Sequence, residues 1–102
     1  MKLVIHKKDR IDYILNGMAE LYGVSRKDIY ARRRNTDLAR RKAIAIKLLV
    51  DVTDCTLQEI CDTFQTSSKQ ALSSSYLRIT DDISFLKEAK AECSKVTNHL
   101  GL

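Results

Sequence analysis

Apolar residues recur at helical spacing along most of this chain. From Asp9 onward Ile11, Ile14, Leu15, Met18, Leu21 and Tyr22 fall three or four positions apart, the stripe of an amphipathic helix, and Gly23 is placed to end it. Ser25-Arg26-Lys27-Asp28 sets an N-cap serine three positions before an acid, which opens a short helix carrying Ile29 and Tyr30. Arg32-Arg33-Arg34-Asn35 offers nothing to bury and predicts a solvent-facing loop, after which Thr36 or Asp37 caps the next helix. Over residues 38–52 apolar side chains wrap most of the way round, interrupted by Arg40, Arg41, Lys42 and Lys47; such a helix belongs at the centre of a bundle. Thr56-Leu57-Gln58-Glu59 is a capping box ahead of Ile60, Cys61 and Phe64, and Thr66-Ser67 breaks the pattern. Ser67-Ser68-Lys69-Gln70 opens a further helix with Leu72, Ser75 or Tyr76, and Ile79 inward, leaving Lys69, Gln70, Ser73, Ser74 and Arg78 polar. A last helix is expected to begin near Thr80 to Asp82 and to turn Ile83, Leu86, Ala89, Cys93, Val96 and Leu100 inward.

These elements predict an all-α fold, a compact bundle of about six helices in a single domain over residues 1–102. The chain has no proline and no internal repeat, and 44% apolar against 30% charged residues suits a globule with a core. The longest apolar run, Ala43-Ile44-Ala45-Ile46, ends at Lys47, far short of a membrane span. Met1-Lys2-Leu3-Val4-Ile5-His6-Lys7 lacks the apolar region and cleavage site of a secretory signal, so a cytoplasmic location is expected. Cys55, Cys61 and Cys93 are odd in number and without paired spacing, which speaks against a disulfide framework. They are expected to behave as small buried apolar side chains. With no Cys-x-x-Cys or His-x-x-x-His pair, neither zinc nor any other cofactor is expected. No nucleophile, base and orienting group can be assembled around His6 or His99, so the expectation is a protein that is not an enzyme.

Charge changes this picture more than composition does. Residues 26–47 hold nine lysines and arginines against Asp28 and Asp37, a net of +7, so the remaining 80 residues carry −2 of the chain's +5. Such concentration points to a polyanion. Residues 57–79, a short helix, a tight turn and a second helix, match the pattern of a helix-turn-helix, although an ordinary helical hairpin has the same pattern. In the first reading the second helix enters a major groove, where Lys69 suits guanine, Gln70 suits adenine, and Ser67, Ser68, Ser73 and Ser74 add hydroxyls. Arg32, Arg33, Arg34, Arg40, Arg41 and Lys42 then grip the phosphate backbone, and the arginine loop can reach a narrow minor groove.

From Tyr22 to Ile79 the chain resembles the C-terminal DNA-binding domain of the bacterial replication initiator DnaA, of the Trp repressor-like helix-turn-helix superfamily. The family's basic loop, its long helix starting Ala-Arg and its closing Leu-Thr stretch correspond to Arg32-Arg33-Arg34, Ala39-Arg40, and Leu48 to Val52-Thr53. Its Ser-Leu-x-Glu-Ile-Gly-x-x-Phe helix corresponds to Thr56-Leu57-Gln58-Glu59-Ile60-Cys61-Asp62-Thr63-Phe64, with Cys61 in place of the glycine. The resemblance implies that Arg34 enters the minor groove and that Lys42 contacts DNA from the long helix. The family's Gly-Gly-Arg-Asp-His-Ser/Thr-Thr-Val signature reads Gln65-Thr66-Ser67-Ser68-Lys69-Gln70-Ala71-Leu72 here, so the implied docking mode carries over and the base sequence read does not. No Gly-x-x-x-x-Gly-Lys-Ser/Thr phosphate loop occurs, which implies a stand-alone unit without the initiator's ATPase domain.

The expectation is therefore a small double-stranded DNA-binding regulator of transcription or replication, nucleoid-associated. The alternative is a protein-interaction module that keeps the DnaA-like fold, has lost base reading, and meets an acidic protein partner. RNA binding is a weaker variant, because Tyr13, Tyr22, Tyr30, Phe64, Tyr76 and Phe85 read mostly as core rather than as stacking platforms. In the tail after Thr80, Ile79, Ile83, Leu86, Cys93 and Leu100 approximate a seven-residue seam. Packing back onto the domain is expected of it, with a homodimer through this C-terminal helix as the alternative.

Overall fold

The computed structural model describes residues 7–31 and 36–102. The described residues form six helices and no strand: α1 (Lys7–Tyr22), α2 (Arg26–Tyr30), α3 (Thr36–Thr53), α4 (Leu57–Phe64), α5 (Lys69–Phe85) and α6 (Lys87–Leu100). The fold is all-α, as the apolar spacing predicts. Local chemistry sets most of the ends. Gly23 takes a positive φ of 65° after α1, and Val24 N–H turns back to the Ala19 carbonyl at 3.0 Å. Ser25 and Thr56 cap α2 and α4 in full capping boxes with Asp28 and Glu59. The arginine loop, Arg32 to Arg34, lies outside the described residues.

Helix α3 is the hub, packed against α1, α2, α4 and α5. Its Ile44, Ala45, Ile46, Leu48 and Leu49 are buried, together with Ile14, Leu15 and Met18 of α1 and Ile29 of α2. Tyr30 stacks on Phe64 with ring centroids 4.8 Å apart, which ties the α2 end of the chain to α4. Thr53, a buried polar residue closing α3, donates its hydroxyl to the Leu49 carbonyl and also contacts the Cys55 sulfur at 2.8 Å. No disulfide links the cysteines; Cys55 and Cys61 are buried and Cys93 is half-buried. The radius of gyration, 13.0 Å, is that of a compact chain of about 100 residues.

The C-terminal third departs from the expected boundaries. No helix starts at Thr80 to Asp82, because α5 runs through them to Phe85. Thr80 does not act as a cap: its hydroxyl donates back to the Tyr76 carbonyl at 2.8 Å, and Ser84 does the same to Thr80 at 3.2 Å. Ile83, half-buried, continues the inner stripe of Leu72 and Ile79, so nothing favours a stop until Leu86. There the backbone turns extended, and α6 begins without a side-chain cap. Leu86, expected inward, is exposed. The rest of the tail packs back on α1 and α5, burying Ala89, Val96 and Leu100. Gly17 allows this approach: a Cβ there would collide with the Leu100 side chain. Tyr13 and Phe85, expected in the core, stand exposed. No described helix is long and apolar enough to cross a membrane.

Candidate nucleic-acid interface

Helix α4 is short and amphipathic, with Ile60, Cys61 and Phe64 facing the core. It ends at Gln65, which takes the left-handed conformation with φ 56° and directs its N–H to the Cys61 carbonyl. A non-glycine residue there carries a backbone cost of about 1 kcal/mol, which the turn absorbs by receiving a second N–H, from Thr66, on the same carbonyl. Residues 65–68 form the connection. Ser68 then caps α5 by accepting from Ala71 N–H at 3.2 Å, while its own N–H reaches the Thr66 hydroxyl. Burial of Leu72 and Ile79 fixes the rotation of α5, and Ser67, Ser68, Lys69, Gln70 and Ser74 are consequently exposed, with Ser73 half-buried. The Ser68 hydroxyl already accepts one bond, leaving its O–H and one lone pair to offer outward.

A second set of contacts clamps α5 to α3. Asp51 receives Lys47 Nζ at 2.8 Å and the Tyr76 hydroxyl at 2.7 Å, and Lys47 also lies 5.5 Å from the Tyr76 ring. Burial acts to raise the Asp51 carboxyl, but the hydrogen bonds from Lys47 and Tyr76 outweigh it and hold the group below its ordinary value. The bond to Asp51 in turn raises Lys47 and Tyr76. Nothing in the linear pattern signals this triad, apart from the i,i+4 spacing of Lys47 and Asp51.

The basic residues that are described sit in different surroundings. Arg41 is half-buried, its guanidinium 4.0 Å from the centre of the Tyr22 ring, with Lys95 5.6 Å from the same ring. Burial, then the Glu92 charge, pushes the Tyr22 hydroxyl up to about 12, so it stays neutral beside these cations. Arg41 thus serves α1–α3–α6 packing, and its Nε is buried without a hydrogen-bond partner among the described residues. Lys42 is half-buried and engaged in contacts of its own. Arg40 stands in a cleft between α3 and α5 that also takes Ser75 and Arg78, about 13 Å along α5 from Lys69 at 1.5 Å per residue. The sequence pattern singles out Arg40 but not its neighbours Ser75 and Arg78, because which turns of α3 and α5 meet is a tertiary fact.

Among the described residues no three His, Cys, Asp or Glu side chains converge to hold a metal ion. No family model, no curated protein and no solved structure matches the chain.

Proposed function

We propose that this chain is a small double-stranded DNA-binding protein that presents the first turn of α5 to a major groove. The observation that carries the reading is the exposed, capped start of α5, with Ser67, Ser68, Lys69 and Gln70, on a chain whose positive charge is concentrated in residues 26–47. Lys69 and Gln70 are the base-reading groups, Ser73 and Ser74 adjoin them, and Arg40 with the arginines at 32–34 supplies phosphate contacts. Regulation of transcription or replication is the role such a unit would serve. Arg41 is left out of the interface because it stacks on Tyr22.

The test is selection of bound duplexes from a random pool, with binding followed at two salt concentrations. An enriched motif relaxed at one position by Gln70→Ala supports base reading by α5. With roughly five phosphates neutralised, the logarithmic salt slope should be about −4 to −5. Unchanged affinity in an Arg33→Ala/Arg34→Ala double variant would sink the docking mode.

One observation favours a second reading, a protein-interaction module: Leu77 and Phe85 stand 61% and 84% exposed on α5, where duplex binding has no use for them. Co-purification of a stoichiometric partner, lost in Phe85→Ser and accompanied by no protection of DNA, would select it.

A further inference from the structure

A second group of polar side chains, away from the α5 start, lies in the cleft between the N-terminal half of α3 and the C-terminal half of α5. It encloses about 450 Å³, within the range of small-molecule sites. Arg40 enters from α3 and Arg78 from α5, with Ser75 in the same lining; Ala39, Ala43 and Leu86 supply an apolar wall, and Asp82 lines the same cleft. The side chains of Arg40, Arg78 and Asp82 form no hydrogen bond or ion pair with any described residue. Two guanidiniums from different helices share this concave site, and neither is ion-paired to the Asp82 carboxylate that lines it, so their N–H donors are available to an outside acceptor. An anion with several oxygens satisfies both, and a phosphoryl group has the three terminal oxygens that two arginine forks can share.

We infer that this cleft binds a small phosphorylated, hydroxyl-bearing molecule of sugar-phosphate or mononucleotide size. Arg40 and Arg78 clamp its phosphoryl group and Ser75 donates a third hydrogen bond. Asp82 decides between the two sources of a phosphoryl group. Its carboxylate repels a bare phosphodiester but accepts hydrogen bonds from sugar hydroxyls, which a duplex backbone lacks. Ala43 and Leu86 receive the apolar face of the sugar or base. Occupancy removes Arg40 from the phosphate contacts assigned to it above, so the ligand weakens duplex binding wherever both occur. The site itself does not depend on that reading and is tested without DNA.

The experiment is calorimetric titration of the full chain with ribose 5-phosphate and, separately, with inorganic phosphate. Ribose 5-phosphate should saturate a single site at least about tenfold tighter than inorganic phosphate, and Arg78→Gln and Arg40→Gln should each weaken it at least about tenfold, one such interaction being worth roughly 1.4 kcal/mol. Glutamine keeps helix propensity, and unchanged circular dichroism and urea midpoint verify that each variant is folded. Asp82→Asn should abolish the preference for the sugar phosphate while leaving inorganic phosphate bound. Failure of ribose 5-phosphate to saturate at millimolar concentration overturns the proposal, as does binding that both arginine variants leave intact. Equal affinity for the two probes overturns the assigned ligand class.

Discussion

The two halves of α5 are built by different rules. Its first turn is a local structure, in which Ser68 caps the helix, Leu72 anchors it, and the exposed positions from Lys69 to Ser74 follow from that one rotation. Its second half is a tertiary structure. Arg78 and Ser75 acquire a neighbour only because α3 brings Arg40 alongside, and Phe85 stands exposed at the end of α5, where the backbone turns extended at Leu86 before α6. A feature that one helical turn determines can be read from the residues of that turn. A feature that needs two helices to meet at a given register cannot.

The largest effect should come from removing the common foundation of both halves. Leu72 and Ile79 are 2% and 1% exposed, one under each half. Leu72→Ala and Ile79→Ala should each cost about 2–4 kcal/mol in urea unfolding, by lost burial plus the cavity left behind. If Ile79→Ala costs much less than Leu72→Ala, the second half of α5 is held less firmly on α3 than its burial indicates.

The cap comes next. Ser68→Ala removes the acceptor for Ala71 N–H and should destabilise by about 1 kcal/mol, whereas Ser67→Ala, with no cap bond, should be near neutral. Equal losses at the two serines would shift the cap, and with it the start of the proposed reading helix, by one residue.

What was legible follows the same division. The capping boxes at Ser25 and Thr56, the end of α1 at Gly23, the hub helix α3 and the core positions Leu72 and Ile79 are all set by short-range spacing, and each stands where the pattern put it. Thr80 misled because a threonine followed by acids is a helix start in sequence, yet mid-helix its hydroxyl bonds backward just as well. Arg41 read as one member of a basic run, since no local rule says that Tyr22 of another helix will lie beneath it. Asp51 and Tyr76 are 25 positions apart, and the bond between them appears only once α3 and α5 cross.

That bond gives a pH-dependent test of how α5 is held. Asp51 is held below its ordinary carboxylate value of 3.8, so its contribution to stability is full above the unfolded value and is lost as pH falls through the folded one. The Asp51 side chain is 39% exposed and so screened by solvent, and Asp51→Asn should cost only about 0.5 kcal/mol at pH 6. The difference from wild type should begin to shrink as pH falls to about 3.8 and vanish once it is below the folded value. Tyr76→Phe should cost about 1 kcal/mol at neutral pH and narrow over the same interval. A Tyr76→Phe loss independent of pH would mean that the ring packing, not the bond to Asp51, holds α5.

The smallest expected effect is at Phe85. A phenylalanine on an inward stripe would lose about 3–5 kcal/mol on truncation, but Phe85 is 84% exposed in the last turn of α5, where it buries almost nothing. Phe85→Ser should therefore change the urea midpoint by no more than about 0.5 kcal/mol equivalent, in either direction, as surface substitutions do. A loss of several kcal/mol would place Phe85 under a neighbour, which requires α6 to leave α5 at a different angle or a second molecule to cover the ring. Dependence of the loss on protein concentration separates those two, because only a bimolecular contact makes apparent stability rise with concentration. A neutral result leaves an aromatic side chain in water at the end of a helix whose start faces the proposed duplex, and that ring is then the surface on which a protein partner would be sought.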